Sequence, residues 1–181
     1  MNNNETTIRF KELYYWMQSI VAVTIFLLGI LTFVGGPIGV DGPSMMPTLA
    51  AYDRMIVRSI FYTPDRGDIV VFSRNDFEDG DAVVKRVIAL EGDVVDIDTV
   101  SGLVYVNGMA LHEPYTNEPT RRVGDVSFPF AVPAGHVFVL GDNRNNSRDS
   151  RDLVIGAVDE REIIGQVVAV VLPFSRARLF L

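Results

Sequence analysis

Residues 14–34 read YYWMQSIVAVTIFLLGILTFV, and no charge interrupts them. A run of that length matches what a bilayer core requires of a helix, so this segment is predicted to lie outside any globular core. Tyr14, Tyr15 and Trp16 stand at its amino end, where amphipathic rings favour the headgroup layer, and Gly35, Gly36 and Pro37 supply a stop at the other end. The alternatives are a cleavable signal peptide and a buried core helix. Against the first, the run is long and Pro37 directly follows the small residues a cleavage site would use. Arg9 and Lys11 precede the run and the next basic residue is Arg54, so the positive-inside rule predicts a cytoplasmic amino terminus. The expected organisation is a cytoplasmic tail over residues 1–13, a transmembrane helix over 14–36 and an extracytoplasmic domain over 37–181.

The 181 residues are enough to bury a core without metal or disulfide staples. The chain has no Cys, which excludes disulfide frameworks, thiolate zinc sites and thiol nucleophiles, and which suits an oxidising compartment. With 16 Lys+Arg against 23 Asp+Glu and no basic cluster, nucleic acid is not an expected partner. His112 and His136 are the only histidines, too few for a His-rich metal site. No metal and no cofactor are expected.

After Pro37 the texture changes to short β-branched runs separated by Gly, Asp, Pro and Asn, which predicts a mainly β domain. Strands are expected at 38–41, 54–59, 68–73, 82–90, 93–98, 103–106, 136–140 and 163–172. Asn107-Gly108 is a strong hairpin signal. A short helical turn is predicted to start at Asp159, and the polar, proline-containing stretch 113–126 reads as a surface loop.

Three segments carry possible chemistry. Lys85 is the sole Lys after the anchor, since every other basic residue there is Arg, and it lies between Ala82-Val83-Val84 and Arg86-Val87-Ile88. A guanidinium stays charged, whereas a desolvated ammonium can lose its proton and act as a base. The competing reading is a strand Lys whose head reaches out to water. Ser44 lies in Gly42-Pro43-Ser44-Met45-Met46-Pro47, where the prolines restrict the backbone and Gly42 permits an unusual path. That suits a nucleophile beside an oxyanion hole, or a plain turn. The third segment is Gly141-Asp142-Asn143-Arg144-Asn145-Asn146-Ser147-Arg148-Asp149-Ser150-Arg151. It is either a solvated loop or a network in which Asp149 pairs with Arg144 or Arg151 and Ser147 orients a partner. His112 precedes Glu113-Pro114 and His136 opens a strand, so a catalytic His is not expected.

Taken together these segments resemble the type I signal peptidases, membrane-bound serine proteases that use a Ser-Lys dyad. Residues 42–49 look like the nucleophile box, 66–72 like the following strand box, Lys85-Arg86 with Gly92-Asp93 like the base box, and 141–151 like the fourth box. Four boxes in order behind an apolar helix make the resemblance specific. It implies a signal-peptidase-like β domain of short twisted sheets with one amino-terminal transmembrane helix. It implies Ser44 as nucleophile and Lys85 as general base, with Ser147 hydrogen-bonding the Lys85 amine and Arg86, Asp142, Asp149 and Arg151 in support. Where some members have a Ser two residues before the nucleophile, this chain has Gly42, so the oxyanion is expected to rest on the Ser44 amide and a backbone group near Gly42.

The implied substrates are secretory preproteins held in the lipid bilayer by their signal peptides and cleaved after small residues of the Ala-x-Ala type. Val40, Asp41, Ala82, Val83 and Val84 would line the extended peptide, with Met45, Leu49, Met55 and Val71 as pocket walls. An unperturbed Lys is neutral in only roughly one molecule per thousand near neutral pH, so Lys85 must be desolvated to serve as base. From Gly36 to Ser44 the chain spans at most about 28 Å, which keeps the nucleophile near a membrane surface. Two other readings compete. A self-cleaving regulator like the SOS repressors shares the Ser-Lys chemistry, but an apolar helix stands here in place of its DNA-binding domain. A non-catalytic, membrane-tethered β binding module is the non-enzymatic alternative.

Overall fold

A computed structural model describes residues 3–34, 38–39, 42–74 and 82–180. The chain divides into two compact units, residues 1–36 and 37–181.

The first unit is a single helix, α1 (Asn3–Val34). It begins well before Tyr14, because no Gly or Pro lies between Asn3 and Leu13 to stop it. Arg9 and Lys11 therefore stand on the helix and not in an irregular tail. Side chains are described from Phe10 to Leu27, and all of them are exposed. Among the described residues no helix is long and apolar enough to cross a membrane. The remainder of the apolar run, 28–34, lies outside the described side chains, as residues 35 and 36 lie outside the described residues altogether.

The described residues of the second unit are mainly β. Its strands are β1 (Ile38–Gly39), β2 (Arg54–Arg58), β3 (Ile69–Ser73), β4 (Ala82–Ala89), β5 (Val94–Asp98), β6 (Leu103–Val106), β7 (Met109–Ala110), β8 (Phe130–Ala131), β9 (His136–Leu140), β10 (Val158–Asp159), β11 (Ile163–Leu172) and β12 (Arg178–Leu179). The larger sheet has the order β1-β2-β11-β3-β4-β9-β10, with β12 also paired to β11, and the smaller has the order β7-β6-β5-β8. Every pairing is antiparallel.

Local chemistry accounts for the two textures. In β5 and β6, Val95, Ile97, Val104 and Val106 are buried while Val94, Asp96 and Asp98 face solvent, the period-2 pattern of a sheet with one wet face. Asn107 and Gly108 both adopt positive φ, 54° and 76°, in the tight turn from β6 to β7. In β4, by contrast, every residue from Val83 to Ala89 is buried, because β3 and β9 flank it and both faces are covered. Its valines divide between two apolar clusters, Val84 packing with Met45, Leu49, Ile69 and Val71, and Val83 and Val87 with Val70, Phe72 and Val139. Asp93 ties the turn before β5 to its surroundings. Burial pushes its carboxyl up, but donors from Arg66, the Leu90 amide and Asn107 outweigh that and hold it below the usual range.

The strands predicted from residue 54 onward occur with shifts of at most a residue at their ends, and of the strand predicted at 38–41, residues 38–39 are a strand while 40 and 41 lie outside the described residues. The additional pieces β7, β8, β10 and β12 have two residues each, too short to show any periodicity. Asp159 caps a single 3-10 turn, Glu160–Glu162, accepting from the Arg161 amide at 2.8 Å. Residues 113–126 contain no helix or strand, as expected of a loop. They are nevertheless not merely solvated, since Thr120 and Val126 are buried.

Candidate active site

Two features of the larger sheet position the site. Lys85 lies opposite Val70 on β3, and Arg86 lies opposite Leu140 on β9. Leu140 is the last residue of its strand, so the polar loop 141–151 starts beside Lys85-Arg86.

The 42–49 segment reaches the same place as a compact turn. Gly42 takes φ 82°, the Met46 amide donates to the Pro43 carbonyl at 3.0 Å, and the Leu49 amide donates to the Met45 carbonyl at 2.8 Å. Met45 and Leu49 are buried and pin the turn to the core, while Ser44, just before Met45, stays partly exposed. Asn143 fastens it to the polar loop: its amide donates to the Ser44 carbonyl at 3.0 Å and its side chain to the Pro43 carbonyl at 3.1 Å.

Lys85 is 4% exposed. Its Nζ lies 2.9 Å from Ser44 Oγ and donates to the Val84 carbonyl, also at 2.9 Å. A buried amine in direct contact with a partly exposed hydroxyl has the geometry required of a base and a nucleophile. The side chain does not reach out to solvent.

Around this contact the polar loop forms buried ion pairs. Arg86 grips Asp142 with two parallel bonds of 2.8 and 2.7 Å and donates to the Gly67 carbonyl at 2.7 Å, so its charge is directed away from Lys85. Asp149 takes a fork of 2.7 and 2.7 Å from Arg151, both side chains being fully buried, and accepts from the Gly141 amide at 3.0 Å. Arg151 is thus the partner of Asp149, whereas Arg144 pairs with Glu113 at 2.8 and 2.6 Å. Arg151 also donates to the Arg144 carbonyl at 2.6 Å and the Arg122 carbonyl at 2.7 Å, tying the loop to residues 113–126. Such charge-assisted forks fix geometry as well as energy.

Ser147 is buried, and Gly141 is the reason it fits. A Cβ at Gly141 would stand 2.5 Å from the Ser44 carbonyl oxygen and closer still to Ser147 Oγ. The close approach therefore permits no side chain at this position. Ser44 thus meets Lys85, Arg86 pairs with Asp142 and Asp149 with Arg151, while the Ser147 hydroxyl donates to the Arg148 carbonyl at 3.5 Å.

The expected substrate-contacting residues are placed unevenly. Ala82 is exposed, and Val83 and Val84 are buried at 6% and 8% exposure. Met45, Leu49, Met55 and Val71 are packed in the core with at most 1% exposure, beneath the surface and not on it. Val40 and Asp41 lie outside the described residues. Among the described residues no group of His, Asp and Glu is arranged to hold a metal ion. His112 is exposed, and His136 turns its Nδ1 to the Ala134 carbonyl at 2.8 Å.

The sequence reading assigned no role to Gly141, Asn143, Glu113 or Tyr115. Gly141 and Asn143 sit inside the recognised polar run, but Glu113 and Tyr115 lie in a segment that reads only as a loop.

The sequence matches the family model described as signal peptidase, peptidase S26, over residues 13–172. It is 35% identical over 186 residues to signal peptidase I S of Bacillus subtilis, covering 97% of each chain. It is 39% identical over 166 residues to probable signal peptidase I-1 of Synechocystis, covering 86% of this chain and 80% of that one. Signal peptidase IB of Staphylococcus aureus is 36% identical over 183 residues, 91% of this chain and 92% of its own.

Proposed function

The chain belongs to the signal peptidase family, peptidase S26, and we propose that it performs that family's reaction with Ser44 as nucleophile and Lys85 as general base. It is a serine peptidase that removes signal peptides from secreted preproteins. The observation that supports the dyad is the 2.9 Å contact between Lys85 Nζ and Ser44 Oγ at a buried amine.

The neutral Lys85 amine takes the Ser44 proton as Oγ attacks the scissile carbonyl, and the oxyanion rests on the Ser44 amide with help from backbone near Gly42. Lys85 then passes that proton to the leaving amine, which departs and leaves an acyl group on Ser44. In the second half Lys85 takes a proton from water, the resulting hydroxide attacks the acyl carbonyl, and the proton returns to Ser44. Ser147 orients the amine, and the Arg86–Asp142 and Arg151–Asp149 pairs hold the frame. The substrate lies extended along Val40-Asp41 and Ala82-Val83-Val84. Met45, Leu49, Met55 and Val71 form the floor below, and shallow apolar pockets admit the small side chains of an Ala-x-Ala site.

The reading requires a Lys85 amine that is uncharged at working pH, since only the neutral amine can take the Ser44 proton. Activity is therefore lost as pH falls and Lys85 becomes charged. The expected rate profile on a preprotein has an acidic limb well below the lysine range; a limb near 10 would contradict a desolvated base.

The apolar run at 14–34 anchors the enzyme in this reading, with the amino terminus cytoplasmic and residues 37–181 outside. From Ile20 to Leu27 the exposed side chains are apolar apart from Thr24, and lipid is the solvent that suits such a surface. Alkaline carbonate extraction should leave the full chain in the membrane pellet. Release into the supernatant would remove the anchor from this account.

A further inference from the structure

Glu113 and Tyr115 form a clamp that joins two of the arginines beside the dyad. The Tyr115 ring lies 4.0 Å from the Arg86 guanidinium carbon and 5.9 Å from that of Arg144. Its hydroxyl donates to Glu113 Oε1 at 2.9 Å, and Glu113 takes the two-bonded fork of Arg144. Burial and the Glu113 carboxylate raise the phenol above its ordinary range, so it remains a neutral donor. Both contacts lead to the site. Arg86 is the residue after Lys85 and holds Asp142, while Arg144 Nε donates at 3.1 Å to the carbonyl of Gly141, the glycine packed against the Ser44 carbonyl and Ser147. One short segment of the 113–126 loop therefore touches the supports of both the base and the nucleophile.

We propose that Tyr115 and Glu113 are positioning residues for the dyad: the ring face fixes the direction of the Arg86 cation and the carboxylate fixes Arg144, so that Lys85 Nζ and Ser44 Oγ are held in register. The inference rests on the reading of Ser44 and Lys85 as the dyad. A ring face over a desolvated guanidinium is a directional contact that an aliphatic side chain cannot replace. Displacement of about 1 Å at a reacting pair is enough to lower a rate by orders of magnitude.

The test uses the full chain in detergent, with kcat and KM measured on a preprotein. Acylating sites are counted from the nitrophenolate burst of a p-nitrophenyl ester of an Ala-x-Ala peptide. Tyr115→Leu is expected to lower kcat per titrated site about tenfold, with KM within about twofold of the parent, because the substrate is not what the clamp holds. Tyr115→Phe keeps the ring and loses one hydrogen bond, so it should recover most of that rate. Glu113→Gln, which keeps the shape but not the charge, should lower kcat per site about threefold or more. A merely structural role would change the number of titrated sites and leave the rate per site alone. Parental kcat per site in Tyr115→Leu, or equal losses in its Phe and Leu variants, would overturn the proposal. If Tyr115→Leu gives no folded protein, parental kcat per site in Glu113→Gln overturns it instead. Full preprotein turnover by Ser44→Ala in the same assay would instead sink the dyad itself.

Discussion

Ser44→Ala and Lys85→Ala are each expected to abolish preprotein cleavage while preprotein binding survives. In hydrolases of this type, removing either the nucleophile or its base leaves only what the oxyanion site and binding supply, so the loss should be about four orders of magnitude or more. The two losses should not add, since each variant disables the same proton transfer. Lys85→Arg should be equally inactive: it preserves charge and much of the bulk but supplies a guanidinium that does not give up its proton. Ser44 is partly exposed and its hydroxyl is small, so its loss should leave the fold intact. Lys85 is buried, and Lys85→Met is the cleaner control because it fills the space without a base. The measurement is cleavage of a preprotein in detergent, with binding of the same preprotein followed in parallel. Full turnover by any of these variants would refute the assignment and revive the reading of a tethered binding module.

Asp149→Ala should cause the largest loss of stability among substitutions in the polar loop. It strips Arg151 of both fork bonds while the guanidinium remains fully buried, and it leaves the Gly141 amide without its acceptor. Breaking a buried pair by removing one partner costs about 3–5 kcal/mol, because the surviving charge is uncompensated. That is a large share of the about 5–15 kcal/mol that holds a domain together. For a domain of this size the melting temperature should fall by about 10 °C or more. Asp149→Asn keeps the shape and one acceptor and should fall less. Thermal unfolding of the three proteins in the same detergent decides the matter, and a melting curve for Asp149→Ala that overlays the parent would mean that Arg151 finds another partner.

The reasons for what was and was not legible are local to particular residues. Lys85 stood out because a chain that otherwise chooses Arg placed its one remaining Lys inside a valine run, and that run became a fully covered central strand. Ser44 stood out through its flanking Gly and Pro, and its turn formed from those same constraints. The partner of Asp149 was not legible. Arg144 and Arg151 are both near it in sequence and chemically identical, and the choice between them depended on Glu113, which lies outside the loop. Depth was likewise not legible: Met45, Leu49, Met55 and Val71 are buried, at most 1% exposed, and nothing in the sequence says whether an apolar side chain lies at a surface or beneath it.

Backbone preference and hydrophobic period act over a few residues, so the amino-acid order by itself determined the strands of the domain, its turns, the apolar helix and the residues able to do acid–base chemistry. Strand order, the 2.9 Å approach of Lys85 to Ser44 and the pairing of Glu113 with Arg144 join residues 41 and 31 positions apart. Those contacts exist only once the sheet has closed, because it is the burial of the whole core that holds distant side chains together against the entropy of the chain.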